Sequence, residues 1–587
     1  MGPFAPGTYP EGWAGEKLKN LLEVCGRFKE GQGIMKLSAY LGLGVCFLLG
    51  ASLSGFASPK RPKLIVMIVI DQFRADYLLR FEKRFLPPVG KGGRLGGFRY
   101  LMSKGAYYPQ AHYDLLQCMT GPGHATVLTG AYPYQAGIGL NDWYDREQGA
   151  RVYCAEDKAI ATVGAEVSAP HVGTSPKNLR ADTVGDELKN AGYPSRVVTL
   201  ALKDRAAILM GGHRADAAIW LNTENFAWVS SRYYFPQGEL PAWLKEMNAS
   251  LQKEKGKSYV WKAQGKPTGF SHDDQGHFPH TAKVGEHAVL VTPYGLEMVL
   301  EASKKALDAF HLGRGSATDL FGVSFSSHDY AGHTYGPNSR EMEEMTVAED
   351  RILSDFLNHL NSRVPGGLQN VLIAFTADHG VAPFFEEINK QGMGHLPGMR
   401  VVEAELSQAV NEKLNSKFGK PAEGDWVVFN HEWNIFLSAK AVAKKGIELS
   451  KVHAAAKEAV LADPRFKDAF AFIFTGSDFA ERKLPPGLLE RQIFHSYVPE
   501  RGGDLVMIPR LFVLPKNYDS TTHLTGYSYD RTVPLILSGP GIRSGIYSQP
   551  ADVVDIAPTL SFFAGVLPPA MNEGRVLSEA IMPAKGD

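Results

Sequence analysis

Carboxylate and imidazole side chains follow three separate apolar runs of this 587-residue chain. The runs and the side chains they lead to are 64–70 with Asp71, 320–325 with Asp329, and 371–376 with Asp378 and His379. A Thr-Gly-Pro-Gly-His segment at 120–124 and a Thr-Thr-His segment at 521–523 add hydroxyl and imidazole groups. Side chains of these types are ligands for catalytic divalent metals, so the pattern predicts a hydrolase or transferase metal centre.

The apolar runs also indicate which elements position these side chains. A continuous run of Val, Ile, Leu and Phe is typical of a strand buried on both faces, as in parallel sheets covered by helices. In such open sheets the functional crevice lies at the carboxyl ends of the strands. We therefore expect Asp71, Asp329 and Asp378 to meet at one edge of the sheet.

The segment at 120–124 places a threonine next to a predicted helix start. The hydroxyl of Thr120 precedes Gly-Pro-Gly, and the helix-compatible residues 125–128 follow. Unpaired N–H groups and the helix dipole favour an incoming phosphate or an alkoxide at such a position. Capping is the commoner use of a threonine there, and a nucleophilic threonine needs activation by a base or a metal. The Asp and His residues elsewhere in the chain favour the catalytic interpretation.

Two cationic side chains are predicted beside this threonine. Lys203 and Arg205 follow a predicted strand at 196–202, and alternation along that strand would place both on one side with Asp204 facing away. A lysine charge and a planar guanidinium together favour the extra negative charge of a phosphate monoester. The alternative is an ordinary solvated pair at a strand end.

From residue 58 onward, predicted strands and helices alternate as they do in a doubly wound sheet. The further predicted elements are helices at 182–191, 341–360 and 555–564 and a strand at 533–538. The prediction is an α/β fold, a three-layer α/β/α sandwich around a mostly parallel sheet. Two stretches do not fit this rhythm, at about 211–292 and 384–519. We interpret them as insertions that cap the crevice, although the distal part of the second suits a peripheral position.

The amino-terminal region is predicted to be a cleavable secretory signal peptide. Met35 and Lys36 precede an apolar stretch at 37–49 and a small-residue segment, with cleavage expected after Ala57. Residues 1–34 are interpreted as an upstream extension, so the catalytic domain spans 58–587. A membrane anchor is disfavoured because the apolar stretch is shorter than the roughly 20 residues needed to span a bilayer. A lipoprotein is disfavoured because Cys46 lies inside that stretch. The expected location is the periplasm or the medium.

Charge and cysteine content narrow the function classes. The chain has 62 basic and 62 acidic residues, so no global field attracts it to duplex nucleic acid or an anionic membrane. After signal cleavage only Cys118 and Cys154 remain. They either form one disulfide in an oxidising compartment, or Cys118 is a small buried residue beside the site. The absence of any Cys-x-x-Cys pair excludes thiolate-bound zinc as the main metal chemistry.

As an ordered set, these segments resemble the alkaline phosphatase superfamily, most closely its bacterial phosphate-irrepressible branch, which is related to the type I phosphodiesterases and nucleotide pyrophosphatases. The resemblance runs from Leu64 through the helix after Asp555. Its carriers are the Asp71 run, 120–124 (Thr-Gly-Pro-Gly-His), 141–144 (Asn-Asp-Trp-Tyr), 202–205 (Leu-Lys-Asp-Arg), 329–333 (Asp-Tyr-Ala-Gly-His), 376–380 (Thr-Ala-Asp-His-Gly) and 521–523.

The resemblance implies a site with two zinc ions and a phosphothreonine intermediate on Thr120. One ion would be held by Asp71, Thr120, Asp378 and His379, and the other by Asp329, His333 and His523. Asn141, Lys203 and Arg205 match the positions that mark the monoesterase branch. The expected substrates are small phosphate monoesters, and a monomer is favoured.

The sequence has three alternative interpretations, of which two are disfavoured. A phosphodiesterase or nucleotide pyrophosphatase would use the same metals and Thr120, and differs in how it treats the second ester group. A binding protein that has lost catalysis is disfavoured because all the ligand positions and the nucleophile are present. A sulfatase is disfavoured because threonine stands where such enzymes carry the cysteine or serine that becomes formylglycine.

Overall fold

The structure is a computed structural model that describes residues 61–165, 173–271, 278–390, 398–516 and 521–583. The predicted signal peptide and the extension before it lie outside the described residues. Within the described ranges, no helix is both long enough and apolar enough to cross a bilayer.

Twenty strands are described. They are β1 Leu64–Ile70, β2 Ala106–His112, β3 Asp142–Asp145, β4 Ala150–Tyr153, β5 Thr162–Val163, β6 Val197–Ala201, β7 Ala217–Asn222, β8 Ala227–Ser231, β9 Ser258–Trp261, β10 His280–Lys283, β11 Asp319–Phe325, β12 Val371–Thr376, β13 Met399–Val401, β14 Val427–His431, β15 Asn434–Leu437, β16 Phe470–Thr475, β17 Leu505–Pro509, β18 Val513–Pro515, β19 Thr532–Ser538 and β20 Gly545–Ile546.

The α-helices in the same ranges are α1 Tyr77–Arg80, α2 Phe98–Lys104, α3 Thr120–Thr129, α4 Pro133–Ala136, α5 Val184–Asn190, α6 Asp204–Gly211, α7 Ala242–Glu254, α8 His287–Leu290, α9 Pro293–Ala309, α10 Ser327–Tyr335, α11 Arg340–Arg363, α12 Phe385–Lys390, α13 Glu403–Phe418, α14 Ala439–Lys445, α15 Leu449–Ala462, α16 Gly476–Ala480, α17 Leu488–Ser496, α18 Ser528–Arg531 and α19 Ile556–Ala564.

The core is a ten-stranded mixed sheet with a parallel centre. Its strand order is β20-β2-β19-β12-β1-β11-β6-β7-β8-β5, and β12, β1, β11, β6 and β7 run parallel to one another. Every residue of β1 is buried, because the strand lies between β11 and β12 in the interior of the sheet. Ile68, for example, pairs with Val323 on one side and Phe375 on the other. This packing accounts for the unbroken apolar sequence of β1.

The helices form two groups that pack within themselves, as a three-layer arrangement requires. One group contains α3, α5, α6 and α19, and the other contains α2, α9, α10 and α11. The predicted α/β class is confirmed, as are the predicted helices α5, α11 and α19 and the predicted strands β1, β6, β11, β12 and β19. The amino terminus of α5 is fixed by a capping box between Thr183 and Asp186.

The two stretches interpreted as insertions differ from each other. The prediction for 211–292 is wrong in its first part, since β7 pairs with β6 in parallel and β8 pairs with β7, so both strands extend the main sheet. The stretch at 384–519 instead contains a separate four-stranded sheet in the order β14-β15-β17-β16. The Trp- and Tyr-rich composition of the first stretch did not indicate a buried strand, but such residues are buried in the sheet there.

The buried centre of β1 gives a stability prediction. Replacing Ile68 by alanine should destabilise the native state by about 2–5 kcal/mol, because it removes a fully buried side chain and leaves a cavity. Ile546→Ala is the matched control, since Ile546 is 75% exposed, and it should change stability by less than about 0.5 kcal/mol. Chemical unfolding of both variants measures the difference; equal effects would contradict the described core.

Candidate active site

Three aspartates converge at the carboxyl edge of the parallel strands. Asp71 directly follows β1, Asp378 follows β12 by two residues, and Asp329 lies in the first turn of α10 after β11. Since these strands are neighbours, their carboxyl ends bring the three side chains together, all buried. The ammonium of Lys203 lies 2.6 Å from an oxygen of Asp71 and 2.6 Å from an oxygen of Asp329.

Three histidines complete this cluster, and all three rings make the same kind of hydrogen bond. In each ring Nδ1 hydrogen-bonds a backbone carbonyl: Gly380 O for His379 (2.9 Å), Thr521 O for His333 (2.8 Å) and Cys118 O for His523 (2.7 Å). A carbonyl only accepts, so Nδ1 is the protonated nitrogen. The neutral ring then presents the lone pair of Nε2, as it does in metal-binding histidines whose other nitrogen donates to a backbone carbonyl.

The ligand atoms fall into two overlapping groups. One atom each from Asp71, Asp378 and His379 lie within 4.8 Å of one another, and so do atoms from Asp329, His379 and His523. His379 belongs to both groups, whereas the resemblance assigned it to the first only. His333 borders the second group, with Nε2 3.1 Å from Asp329 Oδ1, as its spacing of four residues in α10 predicts.

The electrostatics of the cluster fit divalent cations. Burial, and then the negative charges of Asp329 and Asp378, raise the pKa of Asp71 well above its usual value. Oxygen Oδ1 of Asp71 is buried and accepts no hydrogen bond from the described residues. Burial lowers the pKa values of His379 and His523, which keeps both rings neutral, the form that binds metals. The donor set of carboxylate and imidazole without thiolate suits zinc at a catalytic site.

Thr120 stands beside these groups as the first residue of α3. Its Oγ1 lies 3.3 Å from Lys203 Nζ and 3.5 Å from His379 Nε2. A Cβ on Gly123 would lie 2.5 Å from the carbonyl oxygen of Asp378, so only glycine lets α3 approach the end of β12 this closely. The Gly-Pro-Gly sequence thus brings the threonine hydroxyl to the carboxylates.

A cavity of about 180 Å³ opens above Thr120. Its lining includes Thr120, Asn141, Lys203, Arg205, Asp329, His333 and His523 from the predicted set, together with Asp142, Tyr153, Glu432, Thr522 and Leu524. A larger cavity of about 980 Å³ lies beside Trp143, His453 and Phe479, and none of the predicted site residues line it. The chemistry therefore places the candidate site in the smaller cavity.

Comparison with known proteins identifies the family. The family model described as type I phosphodiesterase/nucleotide pyrophosphatase matches residues 65–526. The chain belongs to this family.

Named relatives place it in the alkaline phosphatase branch. Alkaline phosphatase PafA of Elizabethkingia meningoseptica is 30% identical, with 89% of this chain and 95% of that protein covered. Alkaline phosphatase PhoV of Synechococcus elongatus is 32% identical, with 89% and 93% covered. A Myroides odoratus protein named calcium-transporting ATPase is 32% identical, with 91% and 97% covered. The crystal structure of wild-type PafA superimposes with a TM-score of 0.79, covering 89% of this chain and 99% of the other.

Two details correct the prediction for this family member. Strand β6 ends at Ala201, and Lys203 and Arg205 lie at the start of α6, as its amino-terminal cap and in its first turn. The argument from strand alternation is therefore wrong, although both side chains line the cavity. The disulfide alternative is also wrong, because Cys118 and Cys154 are free and buried.

Sequence reasoning missed Gln72, the residue after Asp71. Its backbone has a φ of 68°, its N–H donates to Asp378 Oδ1 (3.0 Å), and its side-chain Nε2 donates to Asp329 Oδ1 (2.7 Å). A Cβ on Gly332 would lie 1.8 Å from the Gln72 amide oxygen, so the glycine makes room for this side chain. Gln72 thus orients two aspartates from different strands, and only its position next to Asp71 hinted at this.

We predict that Gln72→Ala weakens metal binding by about 10- to 100-fold, because Asp329 loses the hydrogen bond that fixes its orientation. Competition with a chromophoric chelator measures the affinity. Gln492→Ala is the control, since Gln492 is likewise buried and donates to a carbonyl, that of Gly526, but does not contact the site. Equal metal affinities in the two variants would contradict the role of Gln72.

Proposed function

We propose that the protein is a metal-dependent phosphomonoester hydrolase, an alkaline phosphatase that transfers the phosphoryl group to Thr120 and then to water. The observation that carries the proposal is the position of the Thr120 hydroxyl, at a helix start and within 3.5 Å of both Lys203 and His379. Identity of about 30% to two alkaline phosphatases over most of the chain supports it.

The chain's own residues would position and neutralise the phosphate. Phosphoryl transfer needs an in-line nucleophile and stabilisation of the charge on the equatorial oxygens, with little other covalent help. Carboxylates Asp329 and Asp71 outweigh the effect of burial and raise the pKa of Lys203, so its ammonium stays charged. Arg205 lines the cavity and its buried Nε has no hydrogen-bond partner among the described residues, so the guanidinium can donate to a phosphoryl oxygen there.

Two zinc ions are the proposed cofactors. Asp71, Thr120, Asp378 and His379 would hold one, and Asp329, His333 and His523 the other. When bound, such ions neutralise the phosphate dianion and lower the pKa of a coordinated hydroxyl. The segment at 35–57 supports export to the periplasm or the medium, with small phosphate monoesters as substrates and a monomer as the working form.

The metal requirement gives the first test. A chelator should abolish hydrolysis of an aryl phosphate, and zinc should restore it.

Thr120→Ala should lower kcat by at least about 10³-fold, because the nucleophile is removed, whereas Thr120→Ser should retain a phosphorylated intermediate detectable by acid quench and mass spectrometry. Full activity in Thr120→Ala would exclude the phosphothreonine mechanism, and activity restored by another metal but not by zinc would exclude the zinc assignment.

Substrate choice gives the second test, made on a monoester and a diester with the same leaving group. Arg205→Ala and Lys203→Ala should lower kcat/KM for the monoester by about 10- to 100-fold, the equivalent of one lost charged hydrogen bond. The diester rate should fall much less in Arg205→Ala, since a diester carries one charge fewer.

The control for this test is Arg575→Ala, because Arg575 pairs with Glu579 and neither residue lines the cavity. A wild-type diester rate above the monoester rate would favour the alternative function, a phosphodiesterase or nucleotide pyrophosphatase with the same metal site.

A further inference from the structure

The turn between β14 and β15 has a conformation that its residues disfavour. Pairing of His431 with Asn434 leaves a two-residue loop, Glu432 and Trp433, with φ angles of 52° and 63°. Loops with two positive φ values favour Asn-Gly or Gly-Gly, because a bulky side chain is strained there. Such strain persists where the surrounding structure or the function requires those side chains.

Packing explains why Trp433 occupies this turn. The Trp433 ring is buried and meets Phe470 edge-on at 5.6 Å between centroids. Glu432 is also buried, but it is one of the residues that line the cavity above Thr120. A buried carboxylate does not stabilise a core by itself, since its desolvation is costly. Core packing therefore does not explain why Glu432 is found in a strained turn at the cavity.

The contacts of Glu432 supply that reason. Its Oε1 accepts a hydrogen bond from Asn141 Nδ2 (3.0 Å), while Asn141 Oδ1 accepts one from the backbone N–H of Gly121 (2.8 Å). The backbone N–H of Gly121 only donates, so it fixes Asn141 Oδ1 as the acceptor, and Asn141 Nδ2 then donates to the Glu432 side chain. The second Nδ2 hydrogen of Asn141 is then left for a phosphoryl oxygen in the cavity.

The turn is also tied to the segment that carries the nucleophile. The backbone carbonyl of Glu432 accepts hydrogen bonds from Gln117 Nε2 (2.8 Å) and Asn434 Nδ2 (2.8 Å). Gln117 Oε1 in turn accepts one from Asn434 (3.1 Å), and Gln117 is three residues before Thr120. These contacts hold the turn through its backbone, so they survive a change of the Glu432 side chain.

We propose that Glu432, contributed by the stretch at 384–519, is a positioning residue that orients Asn141 for the phosphate and so favours monoesters over diesters. The inference rests on the proposed phosphomonoesterase function and adds a residue to it. Asn141 would donate to a charged non-bridging oxygen, which a monoester has in greater number than a diester. The side chain thus acts on the substrate only through Asn141.

A double-mutant cycle on the zinc-loaded full chain tests this. Glu432→Ala should lower kcat/KM for an aryl phosphate by about 10-fold, the lower end for a hydrogen bond to a charged group. In an Asn141→Ala background the same change should alter kcat/KM by less than about 2-fold, since residues acting through one another are non-additive. Glu432→Gln, which keeps an acceptor oxygen, should recover most of the loss, and the diester rate should change little.

Glu432→Gly separates positioning from stability. Glycine adopts the positive φ without strain, so this variant should melt at or above the wild-type temperature and yet show the same loss of activity as Glu432→Ala. Equal effects of Glu432→Ala in both Asn141 backgrounds, or a large fall in melting temperature without rescue by Glu432→Gln, would overturn the inference. A wild-type protein inactive on monoesters would instead overturn the proposed function.

Discussion

The buried crowding of three carboxylates is the constraint on which the rest of this structure depends. Asp71, Asp329 and Asp378 meet with almost no access to water. Two unit charges about 4 Å apart repel each other by roughly 4 kcal/mol at the effective dielectric of a protein site. The positive charge of Lys203 offsets part of this repulsion. Burial, and then the charges of Asp329 and Asp378, still raise the pKa of Asp71. Such a cluster is tolerable only in a rigid frame that also binds cations.

The parallel centre of the sheet supplies that frame. Strands β12, β1 and β11 are buried along their full length, so the points where their chains leave the sheet are fixed by the packing of the core. Gln72 then links the carboxylates of two different strands across β1. The site geometry is therefore set by the core and by one strained residue directly after β1.

How much of this the sequence could predict depends on the range of the interactions. The runs before Asp71, Asp329 and Asp378 are continuously apolar, which indicates buried strands. The strands and their common edge were therefore predictable. Periodicity predicts Lys203 and Arg205 at the end of a strand, because it does not resolve a change from strand to helix within two residues. Glu432 could not be found, because it reaches the site by pairing between segments some 300 residues apart, and no local pattern records that contact.

The proposed role of Glu432 would give a core shared among relatives a means to acquire substrate preference. The cluster of aspartates and histidines lies at the end of the sheet, but Asn141 contacts both α3 and the turn between β14 and β15. A change in that turn would alter the orientation of Asn141 while leaving the strand ends and the candidate ligands in place. The turn is held by the backbone carbonyl of Glu432 and by Trp433, so the side chain at position 432 is not needed to hold it. That side chain can therefore be selected for function, even at the cost of local backbone strain. The stretch at 384–519 is thus where we expect relatives with the same ligand cluster to differ in substrate.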